Sequence, residues 1–205
     1  GTAFFGDTFT NNSGATLDLN TAITGGSVNA TLDGGGTNAG TIVLTANDDA
    51  SDDRARLMVS TGDTLASSGT ILSDGSGTFA NILDIDGTLT TTGLMDVDHD
   101  LDIDVGSSGS VTLGGTTNVA PGPTLDLQGS GSGVTNTGTL VLDGSLTVGS
   151  STSFTNEGTW TVNSGIDIGV VENDEGRMPS QFQRHLFHRI GTTFHQQFAG
   201  RRRSR

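Results

Sequence analysis

Five aspartates alternate with other residues along one stretch of the chain. Asp96, Asp98, Asp100, Asp102 and Asp104 stand between Val97, His99, Leu101, Ile103 and Val105. On an extended strand, this alternation puts every carboxylate on one face and the apolar set on the other. Asp84 and Asp86 precede Asp102 and Asp104 by 18 residues. Stacking at that period would bring like charges to about 5 Å, which costs energy unless the charges are screened or bridged by a cation. Asp126 and Asp143 continue the column less regularly. Calcium takes several hard oxygen ligands, so Asp84, Asp86, Asp102 and Asp104 are candidate ligands of a calcium- or mineral-binding face. The same pattern serves as a solvated outer face that keeps a β-rich chain soluble and discourages edge pairing.

A second acidic cluster, Asp48, Asp49, Asp52 and Asp53 beside Asn47, falls in a turn-rich stretch. A loop wraps a cation as a flat strand cannot, so this is the other candidate ion site, with Arg54 and Arg56 as the competing internal counter-charges. His185 and His188 share a helical face at metal-binding spacing, but beside Arg184 and Arg189 they read as a polar or interface face. Catalysis finds little support. The chain has no lysine, cysteine or tyrosine, and its aspartates are too many for any one pair to single out a glycosidase. No nucleophile elbow or phosphate loop is recognisable. The expectation is a non-enzyme that requires no cofactor, with calcium as the candidate ion.

The elements that must position these groups announce themselves in a repeated phrase. Gly-Thr followed by a hydrophobic residue stands at Gly40, Gly69, Gly87, Gly138 and Gly158. The last two copies align furthest, Val134 to Leu140 against Phe154 to Trp160, at an offset of 20. From Gly69 to Gly87 the offset is 18. Short Val, Ile, Leu and Thr runs between Gly, Asn and Asp turn signals at such a period predict stacked coils, a parallel β-solenoid of about seven or eight turns. At about 4.8 Å per coil the rod would be roughly 35–40 Å long. The step from Gly40 to Gly69 is longer, so residues 46–55 read as a loop inserted between coils. Pro121 and Pro123 mark another irregular loop. A β-sandwich of short strands is the alternative architecture.

Charge divides the chain. All 23 acidic residues precede position 177, where only Arg54 and Arg56 oppose them, leaving −21. Residues 177–205 carry seven arginines and no acid. So acidic a body repels phosphate, which argues against nucleic acid as its partner. It favours cations, high salt or a basic surface, such as the tail of a neighbouring copy. No apolar run approaches 18 residues, so no membrane insertion by a helix is expected. Without cysteine there are no disulfides and no thiolate metal sites. The start at Gly1 fits a processed secreted chain or an excised fragment.

The chain divides into three regions. Residues 1–20, with Phe4, Phe5 and Phe9, read as a cap or an exchanged strand, because an open solenoid end exposes core and unpaired backbone. Residues 21–170 are the solenoid body. Residues 171–205 form a basic tail with a short helix at 180–190, on which Phe182, Leu186 and Ile190 share one face; Phe194 and Phe198 would anchor the residues beyond that helix. The change there is abrupt enough to fit a stretch of non-native sequence as well.

The Thr-Asn-x-Gly-Thr-Leu phrases and short Val/Leu/Thr strands of residues 30–170 resemble the right-handed parallel β-helix passenger regions of autotransporter and filamentous-haemagglutinin-like surface proteins. The resemblance implies an extracellular or cell-surface setting and an adhesive or structural role. The expected function is a secreted structural subunit that assembles head to tail into a fibre, sheath or surface layer. The docking elements would be Phe4, Phe5, Phe9, Phe182, Leu186, Phe194, Phe198, Arg201, Arg202 and Arg203. The alternative is a cell-surface adhesin or glycan-binding module, calcium-dependent or not.

Overall fold

The computed structural model describes residues 1–21, 26–47, 54–131 and 133–163. Strand-forming runs are short because Gly, Asn and Asp interrupt them, and the chain turns at each interruption. The result is seven coils of three strands. The first coil holds β1 (Thr2–Phe5), β2 (Phe9–Asn11) and β3 (Thr16–Asn20). The second holds β4 (Val28–Leu32), β5 (Gly36–Asn38) and β6 (Thr41–Ala46), and the third β7 (Ala55–Val59), β8 (Thr64–Ser67) and β9 (Thr70–Gly75). The fourth comprises β10 (Asn81–Ile85), β11 (Thr88–Thr91) and β12 (Leu94–Val97); the fifth, β13 (Leu101–Val105), β14 (Ser110–Leu113) and β15 (Thr116–Val119). The last two are β16 (Thr124–Gly129), β17 (Val134–Asn136), β18 (Thr139–Leu142) and β19 (Ser145–Val148), β20 (Phe154–Asn156), β21 (Thr159–Val162).

Each third strand pairs in parallel, giving three seven-stranded sheets. The first runs from β1 to β19, the second from β2 to β20 and the third from β3 to β21. The fold is therefore an all-β parallel solenoid and not a sandwich, and no helix occurs among the described residues. Residues 1–20, read as a cap or exchanged strand, form the complete first coil, with β1 pairing β4 in register. The expected tail helix, with Phe182, Leu186, Phe194, Phe198, Arg201, Arg202 and Arg203, lies outside the described residues.

The coil length differs from the sequence reading. Thr16, Thr41, Thr70, Leu94, Thr116, Thr139 and Thr159 stack in the third sheet, so a turn takes between 20 and 29 residues. The offset of 18 is a false alignment. Thr70 opens β9 in the third sheet, whereas Thr88 opens β11 in the second and pairs with Thr64. Glycine precedes both because both strands follow a tight corner.

Inward residues stack in aliphatic columns. Ala30, Leu57, Leu83, Ile103, Leu127 and Val148 line one, and Ile42, Ile71 and Met95 begin another that Leu140 and Trp160 complete. Nearly all are fully buried, each contributing about 1.5–3 kcal/mol. Aromatic rings are kept to the terminal coils of this core. Phe5 and Phe9 meet edge to face at 5.2 Å in the first, Phe154 and Trp160 at 5.7 Å in the last described.

The corners differ in kind. From the second coil onward, the passage between second and third sheets takes two residues and ends in glycine: Gly40, Gly69, Gly93, Gly115, Gly138 and Gly158. These glycines stack. A Cβ on Gly115 would fall on the carbonyl oxygen of Gly93, and one on Gly93 on that of Gly69. Those carbonyls are engaged by the next coil: Thr116 N donates to Gly93 O at 3.0 Å and Thr139 N to Gly115 O at 2.8 Å. Close stacking of bare backbone demands the glycine. The passage between third and first sheets is variable, spanning residues 47–54 after β6 but only 143–144 after β18. Of the sequence-predicted loop at 46–55, Ala46 closes β6, Ala55 opens β7 and residues 48–53 lie outside the described residues; Pro121 and Pro123 lie in another link at this corner, at 120–123.

Candidate functional site

The aspartate run is not one strand. Asp96 closes on the third sheet in β12, residues 98–100 turn the corner, and Asp102 and Asp104 lie on the first sheet in β13. Alternation survives because inside stays inside through the corner: Val97, Leu101, Ile103 and Val105 are all buried. Asp100 is structural, since its Oδ1 accepts a 2.7 Å bond from Thr124 N at the start of β16. Beside it, Ser73 Oγ donates to His99 O at 2.9 Å, and the His99 ring bonds Phe79 O at 3.0 Å.

The column on the first sheet has a different register from the expected one. Asp84 opposes Asp104, at an offset of 20, while Asp86 lies in the corner after β10 and opposes neither. Asp102 opposes Ile82 on one side and Asp126 on the other. Asp143 belongs to another corner, where Asn163 Nδ2 donates to it. The two arginines complete the face. Arg54 Nη1 pairs with Asp102 Oδ2 at 3.3 Å, and Arg54 Cζ lies 5.6 Å from the Phe79 ring centroid; Arg56 pairs with Asp84. Asp84 is only 6% exposed, so its counter-charge matters most. The ion pairs of Arg54 and Arg56 lie on this face; Asp48, Asp49, Asp52 and Asp53 lie outside the described residues.

Burial raises the Asp102 carboxyl above the ordinary aspartate range; Asp126 adds to the shift, Arg54 opposes it, and Asp100 and Asp104 add further. Burial also raises Asp126, against a hydrogen bond from Gln128. Asp96 is raised by burial and then by Asp98, against a bond from Asn118. Among the described residues no three His, Asp or Glu side chains gather to hold a metal ion. Asp84, Asp86, Asp102 and Asp104 do not converge on one point. Next to Asp126 is a shallow open hollow lined by Gln128, Thr147, Ser150 and Ser151, a surface for hydrogen bonding.

A second constellation lies beyond what the sequence reading anticipates. Asn11, Asn38, Ser67, Thr91, Leu113, Asn136 and Asn156 form one inward column at the end of the second sheet. Asn11 Nδ2 donates to Asn38 Oδ1 at 2.8 Å, and Asn38 Nδ2 to Ser67 Oγ at 2.9 Å. Asn136 Nδ2 donates to Asn156 Oδ1 at 2.6 Å. Three of the asparagines also reach the start of the next coil's third-sheet strand, Asn11 to Thr41 O at 2.9 Å, Asn38 to Thr70 O at 3.1 Å and Asn136 to Thr159 O at 3.3 Å. The signal is present in the Thr-Asn-x-Gly-Thr phrase: asparagine ends one strand, glycine makes the corner, threonine opens the next. Of the expected docking aromatics, Phe9 is buried and Phe5 packs against the core, while Phe4 points outward, 65% exposed.

Comparison with protein-family models, with curated proteins and with solved structures finds no match.

Proposed function

We propose that this chain is a structural subunit that adds end to end in an extracellular fibre, sheath or surface layer. The observation that carries the reading is the likeness of the terminal coils. Phe9-Thr10-Asn11 and Phe154-Thr155-Asn156 are the same strand, at the same place in the same sheet, six steps apart. Asn156 accepts the ladder bond from Asn136, and its own Nδ2 turns to Gly158 O at 3.3 Å. A second copy laid on β20 with Asn11 above Asn156 would repeat the bond that Asn11 makes to Asn38. Among the described residues β1, β2 and β3 each pair on one side only, and a sheet edge of this kind favours strand addition. Head-to-tail addition of this sort propagates into filaments when the rotation does not close. The surface setting follows from the resemblance to β-helix passenger regions, and the basic tail against the acidic body supports contact between copies.

A proline at position 10 tests the reading. Phe9 N donates to Gly35 O, and Ala39 N donates to Asn11 O, so Thr10 between them directs its N–H away from the second coil. T10P removes a donor from the free edge alone. Negative-stain microscopy should show filaments from the full chain and single short rods from T10P and from a chain lacking residues 177–205. Filaments of undiminished yield from T10P, or a parent chain that stays monomeric at high concentration, would sink the idea.

A further inference from the structure

Granted the end-to-end addition proposed above, we infer that Phe4 of one copy seats over Gly149 of the next, so that an exposed ring and a missing side chain fix the register of the join. Along the first sheet, paired positions form one outward column: Phe4, Thr31, Met58, Asp84, Asp104 and Gln128. Leu127 pairs with Val148, and Gly149 N donates to Leu127 O at 2.8 Å, so Gly149 holds the next place in that column. The column thus opens on a phenylalanine 65% exposed and closes, among the described residues, on a glycine. Its own chain does not require that glycine. The backbone there is not left-handed, and a Cβ would make only ordinary contacts, Leu127 O at 3.4 Å and Gln128 Cα at 3.7 Å. On the glycine seam, by contrast, a Cβ would fall on a carbonyl oxygen.

The bare position leaves a hollow of about 280 Å³ lined by Asp126, Gln128, Thr147, Ser150 and Ser151. A cavity of about 150 Å³ already holds benzene. A copy added at the strand spacing of about 4.8 Å brings Phe4 to the mouth of this hollow. The chain already sets a ring on a glycine internally: Phe9 lies against Gly36, its partner one coil on, where a Cβ would meet Phe9 Cβ at 2.8 Å. The rest of the join agrees. Inward, Leu17 falls over Trp160, two side chains that the terminal coils leave partly uncovered. Outward, Asp18 falls over Thr161 in the same sheet, and Asn12 over Glu157 just past the second. Each carboxylate therefore meets a neutral donor, and no two oppose one another strand for strand. Within the chain, Asp96 is already matched this way by Asn118, which donates to it.

Disulfide trapping reads the register directly, because the chain has no cysteine. Phe4 and Gly149 lie six coils apart in one copy, so a bond between these positions can only join two copies. Under mild oxidation F4C/G149C should give a ladder of covalent oligomers on a non-reducing gel, collapsing to monomer with reductant. F4C/T147C should give little, since its Cα atoms would stand about 8 Å apart, beyond the roughly 7 Å a disulfide spans. G149L fills the hollow and should raise the critical concentration for filaments on the order of tenfold or more, with the Tm of the monomer unmoved. Parent filaments alongside equal trapping of both cysteine pairs would overturn the seat and leave end-to-end addition standing. So would G149L filaments at the parent's critical concentration. A parent chain that stays monomeric removes both.

Discussion

The break in the asparagine ladder makes the sharpest prediction. Leu113 occupies the ladder position on β14, between Thr91 and Asn136. The Oδ1 atom of Asn136 is buried there without a hydrogen-bond partner, because leucine has no donor to offer. Elsewhere the residue one coil earlier donates to that oxygen and to the threonine carbonyl beyond the corner. L113N should restore both bonds. It forfeits about 1.5–3 kcal/mol of leucine burial. It regains two hydrogen bonds of about 0.5–1.5 kcal/mol each and relieves an orphaned acceptor costing about 1–3 kcal/mol. The introduced amide oxygen faces Thr91, whose hydroxyl donates to Thr112 O, and so brings back an unmet acceptor costing the same about 1–3 kcal/mol; with it the terms nearly cancel, and L113N should lie within about 1 kcal/mol of the parent. L113A makes the cavity and leaves the orphan, and should lose about 2–5 kcal/mol, a drop in Tm on the order of 10 °C for a domain of this size. Parallel thermal and urea melts followed by circular dichroism decide it. An L113N protein as unstable as L113A would show that the ladder contributes nothing, and the reasoning would fail.

Other outcomes rest on the same geometry. G115A should cost about 3 kcal/mol or more, because its Cβ meets the Gly93 carbonyl, whereas G14A, at φ +79° with open space around it, should cost only about 1 kcal/mol; urea midpoints separate the two. R54A should move the Asp102 titration upward, since Arg54 is what opposes its rise. A carboxyl whose folded pKa is raised takes up protons on folding, so stability rises as pH falls through that value; in R54A the rise in Tm should therefore begin at a higher pH than in the parent. D96N should hold or raise Tm at neutral pH and remove part of the gain on acidification, because burial and Asp98 both disfavour the Asp96 charge. No change in the Tm–pH profile of D96N would assign that carboxylate a fully solvated role.

The coil is legible in the sequence because its rules are local. Asparagine, a two-residue corner and glycine recur within one short phrase, and each part has a backbone reason. The period is not, because the phrase marks a tight corner without saying which one. Gly87 opens a second-sheet strand, and its Cβ would strike Asp63 O and Ser60 O much as Gly69 would strike Gly40 O. The aspartate face is half legible. Alternation gives the outward side correctly, but an odd-numbered corner at residues 98–100 preserves alternation, so nothing in the pattern reveals the bend. Arg54 and Arg56 look committed to the loop beside them in sequence. Their partners Asp84 and Asp102 are one and two coils away in the stack, a closeness that only the register creates.

The unequal corners divide the molecule into a seam of fixed geometry and a permissive one. Along the glycine seam, backbone touches backbone, so a single added residue would displace every coil beyond it. At the opposite corner the same chain already accommodates links as different as residues 47–54 and residues 143–144 without disturbing the strands on either side. Length there is a free variable. Successive links emerge from one line at the spacing of strands in a sheet, about 4.8 Å. The solenoid is thus an addressing system: a segment inserted at that corner is placed by the coil that carries it, and its own sequence need contribute nothing to the placement.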